Sequence, residues 1–292
     1  MKRIYPLLLV SVCSWLGLSC TQNTLPEATE PELWQVTVSR ADTGTEDPTY
    51  NRILILGKKE GTAATVQGVL AVDGTTGSWE NNATPVWPKD GTSDVPLDVY
   101  AVSPVPDGNQ PPMEIDLTTG QGIAWQVDYQ SDAVRPTSFT MTHILAKLVV
   151  HIRIDGETNP QPTDGSIRLK AKGTVDYSSK QVETADTDKA DVPLGIFHQE
   201  GQEDHSTEHN WETEAAIVVI PQTIPAGEPC LWFTADGKEY TFTPQTSLEL
   251  EKGVVNNLYL GVTVDGPVLL EGISVTDWTD GGTFGGGEAE ED

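Results

Sequence analysis

Apolar and polar residues alternate in short bursts along the chain, beginning with Trp34, Val36 and Val38 on one face of an extended segment and Gln35, Thr37 and Ser39 on the other. A period of two marks a half-buried strand. Similar runs recur at Ile53-Leu54-Ile55-Leu56, Val66 to Val72 and Leu97 to Val102, separated by turn clusters such as Asp73-Gly74-Thr75-Thr76-Gly77 and Pro104 to Pro112. A second group opens near Phe139. There Leu148, Val150, Ile152 and Ile154 form one apolar face, while Lys147, His151 and Arg153 point the other way, toward solvent. Ile167 to Val175, Ala215 to Ile220, Cys230 to Ala235, Tyr240 to Phe242 and Val254 to Val264 follow. No segment carries a long 3.6-residue period, so the pattern predicts an all-β protein of sandwiches or barrels. The stretch from Ala124 to Ser138 lacks periodicity and is where the chain divides, into an N-terminal β-sandwich over residues 34–136 and a C-terminal one over 137–280.

The two ends differ from this body. Met1-Lys2-Arg3 precedes the apolar run Ile4 to Leu18 and then Ser19-Cys20, the order of a secretory signal peptide over residues 1–19. The run is too short, and too abruptly followed by Thr21-Gln22-Asn23, for a permanent membrane span. Leu16-Gly17-Leu18-Ser19-Cys20 resembles the lipobox of bacterial lipoproteins, with its leucines one place off the usual pattern, and so makes Cys20 the expected lipidated residue; an ordinary cleaved signal with a chance cysteine is the alternative. Acyl chains contribute about 0.8 kcal/mol per buried CH2, which moors a multiply acylated protein stably to a bilayer. Residues 20–33 are rich in Thr, Pro and Glu and read as a solvated tether. Residues 281–292, Gly-rich and then acidic, read as a flexible tail.

Charge narrows the partners. The 292 residues hold 17 Lys+Arg against 44 Asp+Glu, a formal net charge of -27. Such a balance repels phosphate backbones and anionic headgroups, which excludes nucleic acid and leaves the lipid anchor as the expected membrane contact. Of three cysteines, Cys13 leaves with the signal and Cys20 carries lipid, so Cys230 remains without a disulfide partner and, within Cys230-Leu231-Trp232-Phe233, is expected to be a buried structural thiol.

Several segments together resemble one family, the fimbrillin-like lipoproteins that include subunits of type V pili. They are Val86-Trp87-Pro88 with Leu97 to Pro104, the stretch Phe139 to Val150 containing His143 and Leu145-Ala146-Lys147, Val218-Val219-Ile220-Pro221-Gln222-Thr223-Ile224, and the close from Leu250-Glu251-Lys252-Gly253 to Val264 and Ile273 to Trp278. The resemblance implies two tandem transthyretin-like β-sandwich domains behind a lipoprotein signal, outer-membrane anchoring and assembly at the cell surface or in a fimbrium. In polymerising members an arginine-specific protease cuts after the first strand, and a neighbour's strand fills the groove that opens, a form of β-augmentation. Carried over, Arg40 is the candidate cut, Trp34, Val36 and Val38 mark the displaced strand, and Ile273, Val275 and Trp278 mark the donor. Expected partners are other pilus subunits by donor-strand exchange, and a host protein or glycan in adhesion. Shaft, anchor, accessory and tip roles all stay open.

Candidate chemistry is sparse. His198, His205 and His209 are interleaved with carboxylates, a pattern able to bind a divalent metal, but the segment is polar throughout and reads as a loop; no metal or other cofactor is expected. His143 reads as a structural hydrogen-bonding residue near the domain junction. No nucleophile elbow, zinc-protease helix or phosphate-cradling loop occurs, and nothing fixes a carboxylate pair, so no enzyme is expected. Lys147, His151 and Arg153 on one predicted strand, with Arg168, Lys170 and Lys172 on the next, would form a basic contact face if the two paired as a hairpin, fit for an acidic neighbour or anionic glycan. A rival reading, a glycan-binding lipoprotein of a polysaccharide-uptake system, would use exposed Trp79, Trp87, Trp125 or Trp211 as stacking platforms.

Overall fold

A computed structural model describes residues 34–40, 51–63, 65–82, 84–119, 122–155, 162–199, 213–263 and 266–278. The signal peptide, Cys20, the tether, the acidic tail, His205, His209 and Trp211 lie outside the described residues. The architecture is all-β, as the alternation predicts. Up to His143 the strands are β1 (Val36–Arg40), β2 (Arg52–Lys58), β3 (Thr65–Asp73), β4 (Thr76–Trp79), β5 (Lys89–Asp90), β6 (Ser93–Asp94), β7 (Leu97–Ser103), β8 (Glu114–Asp116), β9 (Gln126–Ala133) and β10 (Ser138–His143). Seven of them form a sheet that closes on itself in the order β1-β10-β9-β7-β2-β3-β4, with β1 pairing back onto β4. Where the sequence predicts two facing sheets, the pairing here runs unbroken round a barrel. Its core is Trp34, Val36, Val38, Ile53, Ile55, Leu70, Trp87, Val99, Phe139, Met141 and their neighbours.

The remaining strands are β11 (Ala146–Asp155), β12 (Pro162–Lys170), β13 (Lys172–Asp176), β14 (Gln181–Glu183), β15 (Lys189–Pro193), β16 (His198–Gln199), β17 (Thr213–Val219), β18 (Gln222–Ile224), β19 (Leu231–Ala235), β20 (Lys238–Phe242), β21 (Leu248–Leu250), β22 (Val254–Thr263) and β23 (Val268–Asp277). One sheet runs β16-β17-β11-β22-β23 and another β15-β12-β19-β20. Their apolar sides, Leu148, Val150 and Ile152 from the first and Ile167, Leu169, Leu231 and Phe233 from the second, meet in a separate core. Val102 of β7 and Val127 of β9 belong to this second core, so the barrel wall serves both.

Two sequence expectations are revised by these pairings. The division at 136/137 runs between β9 and β10, which are hydrogen-bonded neighbours, and Phe139 and Met141 of β10 pack in the first core. The predicted strand Ile167 to Val175 is two strands in different sheets. It breaks at Ala171, whose N–H donates to the Asp188 carbonyl (2.8 Å) and whose own carbonyl accepts from Leu117 N–H (2.8 Å), so β13 leaves to pair with β8 and β14.

Among the described residues, three polar and ring contacts add to the shared barrel wall in joining the barrel to the second core. His143 of β10, fully buried, stacks on Trp278 just past β23 with ring centroids 4.1 Å apart and planes 2° from parallel, and lies 3.2 Å from Gln126 Nε2. Lys180, in the turn between β13 and β14, donates to Asp128 of β9 at 2.6 Å. Tyr177 in that turn packs edge-on to Tyr100 of β7, 5.0 Å between centroids, and donates to the Pro112 carbonyl; desolvation raises its pKa.

Candidate assembly site

The first strand is the piece on which barrel closure depends. β1 is held on both sides, running parallel to β10 (Thr37 opposite Ser138, Arg40 opposite Met141) and antiparallel to β4 (Val36 opposite Gly77, Thr37 opposite Thr76). Thr37 N–H donates to the Thr137 carbonyl and Val38 N–H to the Thr75 carbonyl, each at 2.9 Å. The alternation predicted for this segment is realised: Trp34, Val36 and Val38 are buried, while Gln35, Thr37 and Ser39 are exposed.

An aromatic box receives the start of the strand. Trp34 Nε1 donates to the Pro136 carbonyl (2.7 Å), and Trp79 Nε1 donates to the Trp34 carbonyl (2.8 Å). The Trp34 ring lies 4.7 Å from that of Trp79 and 5.1 Å, edge-on, from that of Trp87. Two glycines make room. A Cβ on Gly77 would come within 3.2 Å of the Val36 carbonyl oxygen, and one on Gly68 within 2.7 Å of the Trp79 ring. Burying an indole together with its N–H is favourable only where that N–H finds an acceptor, and here two main-chain carbonyls serve.

The candidate displaced strand is therefore the one bridging two sheet edges, and its loss would leave β4 and β10 each with an unpaired edge above an apolar core. Arg40 is the last residue of β1, with its backbone opposite Met141; residues 41–50 lie outside the described segments. Among the described residues the candidate donor β23 lies at the edge of its sheet, paired with β22. Ile273 and Val275 remain 48% and 43% exposed, whereas Trp278 is buried on His143. These donor residues and the β1 slot are thus separate, linked through β10.

The predicted basic face does not assemble. β11 pairs with β17 and β22, while β12 pairs with β15 and β19, so Lys147 and Arg153 stand in one sheet, Arg168 and Lys170 in the other, and Lys172 in a third with β8. A long unbroken apolar face on β11 drives it between two other apolar strands, leaving no hairpin with β12. Arg153 pairs with Glu271, Arg168 with Asp191 and Lys172 with Asp116, whose pKa falls to about 2 chiefly through that lysine's hydrogen bond. His151, expected in solvent, is buried: its ring stacks on Tyr259 at 4.4 Å and Nε2 lies 3.2 Å from Asn257 Oδ1. Of the proposed stacking platforms, Trp87 and Trp125 are buried and Trp79 is half-buried in the aromatic box. Among the described residues no group of three His, Cys, Asp or Glu is placed to hold a metal ion.

Cys230 is 3% exposed, and burial pushes its thiol up to about 11, so little thiolate forms near neutral pH. We expect a maleimide to modify Cys230 only after denaturation; labelling of the native chain within minutes, located by peptide mass, would contradict the packing.

The alternation marks β1 as a strand and gives its buried side, but not the walls against which it packs. Pro136, Gly77 and Trp79 carry no local sign of contact with a strand about forty to one hundred residues earlier; the Asp73–Gly77 turn cluster was the one usable signal for β4.

The comparisons agree with this architecture. A family model described as fimbrillin-like matches residues 39–278, and the chain belongs to that family. Its fold is similar to that of a candidate cell adhesion protein from Bacteroides uniformis, at a TM-score of 0.56 and 16% identity, covering 86% of this chain and 100% of that one. A candidate cell adhesion protein from Bacteroides ovatus is similar to the same degree, at a TM-score of 0.56 and 12% identity over 84% of this chain and 96% of that one. At such identities the likeness is one of fold. No curated protein matches the chain.

Proposed function

We propose that this chain is a lipid-anchored, cell-surface fimbrillin-like subunit that joins other pilus subunits by strand exchange at the β1 slot and acts in adhesion, without catalytic turnover. The observation that carries the reading is the position of β1: a short segment following a candidate tether, buried on one face, bridging two strands, and ending at an arginine. A neighbour's strand entering there would regain the same main-chain hydrogen bonds and insert alternate apolar side chains among Leu70, Phe139 and Met141. Membership of the fimbrillin-like family supports the assembly role, and the adhesion names borne by the two fold relatives support the adhesive one. On this reading the barrel and the second core correspond to tandem transthyretin-like domains, Cys20 carries the lipid, and β23 is the donor.

Solution mass before and after treatment with an arginine-specific protease tests the proposal. Oligomers should form from the cleaved chain and fail to form from an Arg40→Ala variant treated identically. A cleaved chain that stays monomeric, or an Arg40→Ala chain that polymerises equally after treatment, would refute strand exchange at this slot.

A further inference from the structure

A cleft of about 330 Å³ opens between the end of β12 and the segment running from β18 to Cys230, and three cations line it: Arg168, Lys170 and Lys189. Three of the chain's 17 Lys+Arg thus meet in one place, each of them facing a carboxylate. The frame beneath it is fixed. Gln222 Oε1 accepts from Lys170 N–H (2.8 Å), its Nε2 donates to the carbonyls of Lys170 (3.1 Å) and Ile220 (3.0 Å), and Arg168 N–H donates to the Cys230 carbonyl (2.7 Å).

The cations are not equally committed. Arg168 holds Asp191 through two bonds of 2.8 and 2.9 Å. Lys170 Nζ lies 3.0 Å from Asp186, and Lys189 Nζ lies 3.6 Å from Glu228. The side chains of Asp186 and Glu228 are 91% and 66% exposed, and single contacts to carboxylates so exposed to water hold little. An incoming anion can replace them.

We propose that this cleft binds a carboxylate-bearing sugar of the uronic-acid class, with Lys170 and Lys189 taking the carboxylate. Three observations select that chemistry. First, β12, which carries Arg168 and Lys170, is paired on both sides, with β15 and β19, so that wall offers no free main-chain edge to an acidic peptide strand and its recognition falls to side chains. Second, the volume is at the lower end for small-ligand sites, room for a sugar unit and far more than a bare inorganic anion fills. Third, Pro225 and Pro229 in the lining present apolar rings against which the C–H face of a sugar can pack, beside cations for its carboxylate. Long polyanions such as nucleic acid, or an anionic bilayer, would meet the repulsion of the whole molecule, whereas a short ligand that places a single carboxylate in the cleft meets far less. The site lies apart from the β1 slot, rests on no step of strand exchange, and gives the adhesive role a ligand.

Calorimetric titration of the full-length chain tests this, using oligomers of galacturonate, of glucuronate and of their carboxyl-reduced neutral counterparts. At least one acidic oligomer should bind tenfold or more tighter than its neutral form. Lys170→Gln should weaken that binding about tenfold, Lys172→Gln, outside the cleft, should leave it unchanged, and Asp186→Asn should tighten it severalfold by removing the competing carboxylate. Asp186 is fully at the surface, so this last variant folds and gains function. Failure of both acidic oligomers to bind, equal binding of neutral forms, an unchanged Asp186→Asn, or equal competition by tetraglutamate would each overturn the proposal. None of these outcomes bears on cleavage-dependent oligomers.

Discussion

Cleavage after Arg40 will expose the edges of β4 and β10 to exchange while the second core keeps its protection. Fully burying Trp34, Val36 and Val38 contributes about 4.5–9 kcal/mol at about 1.5–3 kcal/mol for each side chain. Fixing the backbone of the roughly seven residues from Trp34 to Arg40 costs about 7–14 kcal/mol. The main-chain bonds to β10 and β4 make up the difference, so the severed strand is held only marginally once its covalent connection to β2 is gone. Native-state hydrogen exchange should therefore find the Ser138–Met141 edge, apart from Thr140, whose N–H the Asp128 carboxylate accepts, and Thr76 to Gly77 losing protection by at least about 100-fold, the equivalent of about 2.7 kcal/mol. The amides of β11 and β22, in the other core, should change little. A synthetic peptide of residues 34–40 added in excess should restore the lost protection, and one with Val36 and Val38 both replaced by aspartate should not. Undiminished protection at Ser138 to Met141 after complete cleavage would mean that β1 is not the element holding that edge closed.

On the proposed reading, the same marginal balance would suit the slot to assembly. A strand that stayed bound after cutting would block a partner, and one too weakly bound before cutting would leave the barrel open and prone to indiscriminate pairing. Tethering to β2 would supply the difference by keeping the effective concentration of β1 high in an uncut chain. The aromatic box adds selectivity at one end, since an incoming strand must bring a group that satisfies the Pro136 carbonyl or leave it without the Trp34 donor.

How far this was legible depends on whether burial follows local periodicity. In β1 it does: Trp34, Val36 and Val38 face the core, and the sequence marks both the strand and its inward side. β9 defeats the same rule. Gln126 and Asp128 are polar yet buried on 0% and 5% exposure, so the segment shows no alternation and reads as a boundary when it is a central strand between β7 and β10. Their partners, His143, Thr140 and Lys180, are 12 to 52 residues away, and a local pattern has no access to them. At Ala171 the opposite failure occurs: alternation from Ile167 to Val175 continues smoothly through a change of sheet that only the distant Asp188 and Leu117 impose. The basic stripe failed for a related cause. Side-chain direction along β11 and β12 was readable for the most part, but which strands they pair with was not, and the stripe depended on the pairing. The family likeness carried the strand-exchange idea, while the walls of the slot and the Lys170–Lys189 cleft emerge only in three dimensions.

Replacing Lys180 with methionine will destabilise the chain and uncouple its two cores. The Asp128 carboxylate, its side chain 6% exposed, takes Lys180 Nζ at 2.6 Å on one oxygen and Thr140 N–H at 2.9 Å on the other. Lys180 reaches it from a turn residue held at φ 55°, whose carbonyl accepts from Lys252 Nζ at 3.0 Å. Two turns of the second core region and two barrel strands thus converge on one charge pair. Removing the cation leaves a buried carboxylate with neutral donors only, which costs about 3–5 kcal/mol in fully buried pairs. Lys180 keeps 26% of its side chain in water, so the loss should fall near the lower end, at about 3 kcal/mol. Asp128→Asn should lose a comparable amount, and the Lys180→Met/Asp128→Asn double variant distinctly less than the sum, because no buried charge is then stranded. Urea unfolding followed by circular dichroism supplies the three numbers. Hydrogen exchange at intermediate urea should show β10 of the Lys180→Met variant opening before β22, where the unsubstituted chain opens both together. Additive single losses, or co-operative opening retained in Lys180→Met, would show that the stack of His143 on Trp278 and the Tyr100–Tyr177 contact suffice to couple the cores without the ion pair.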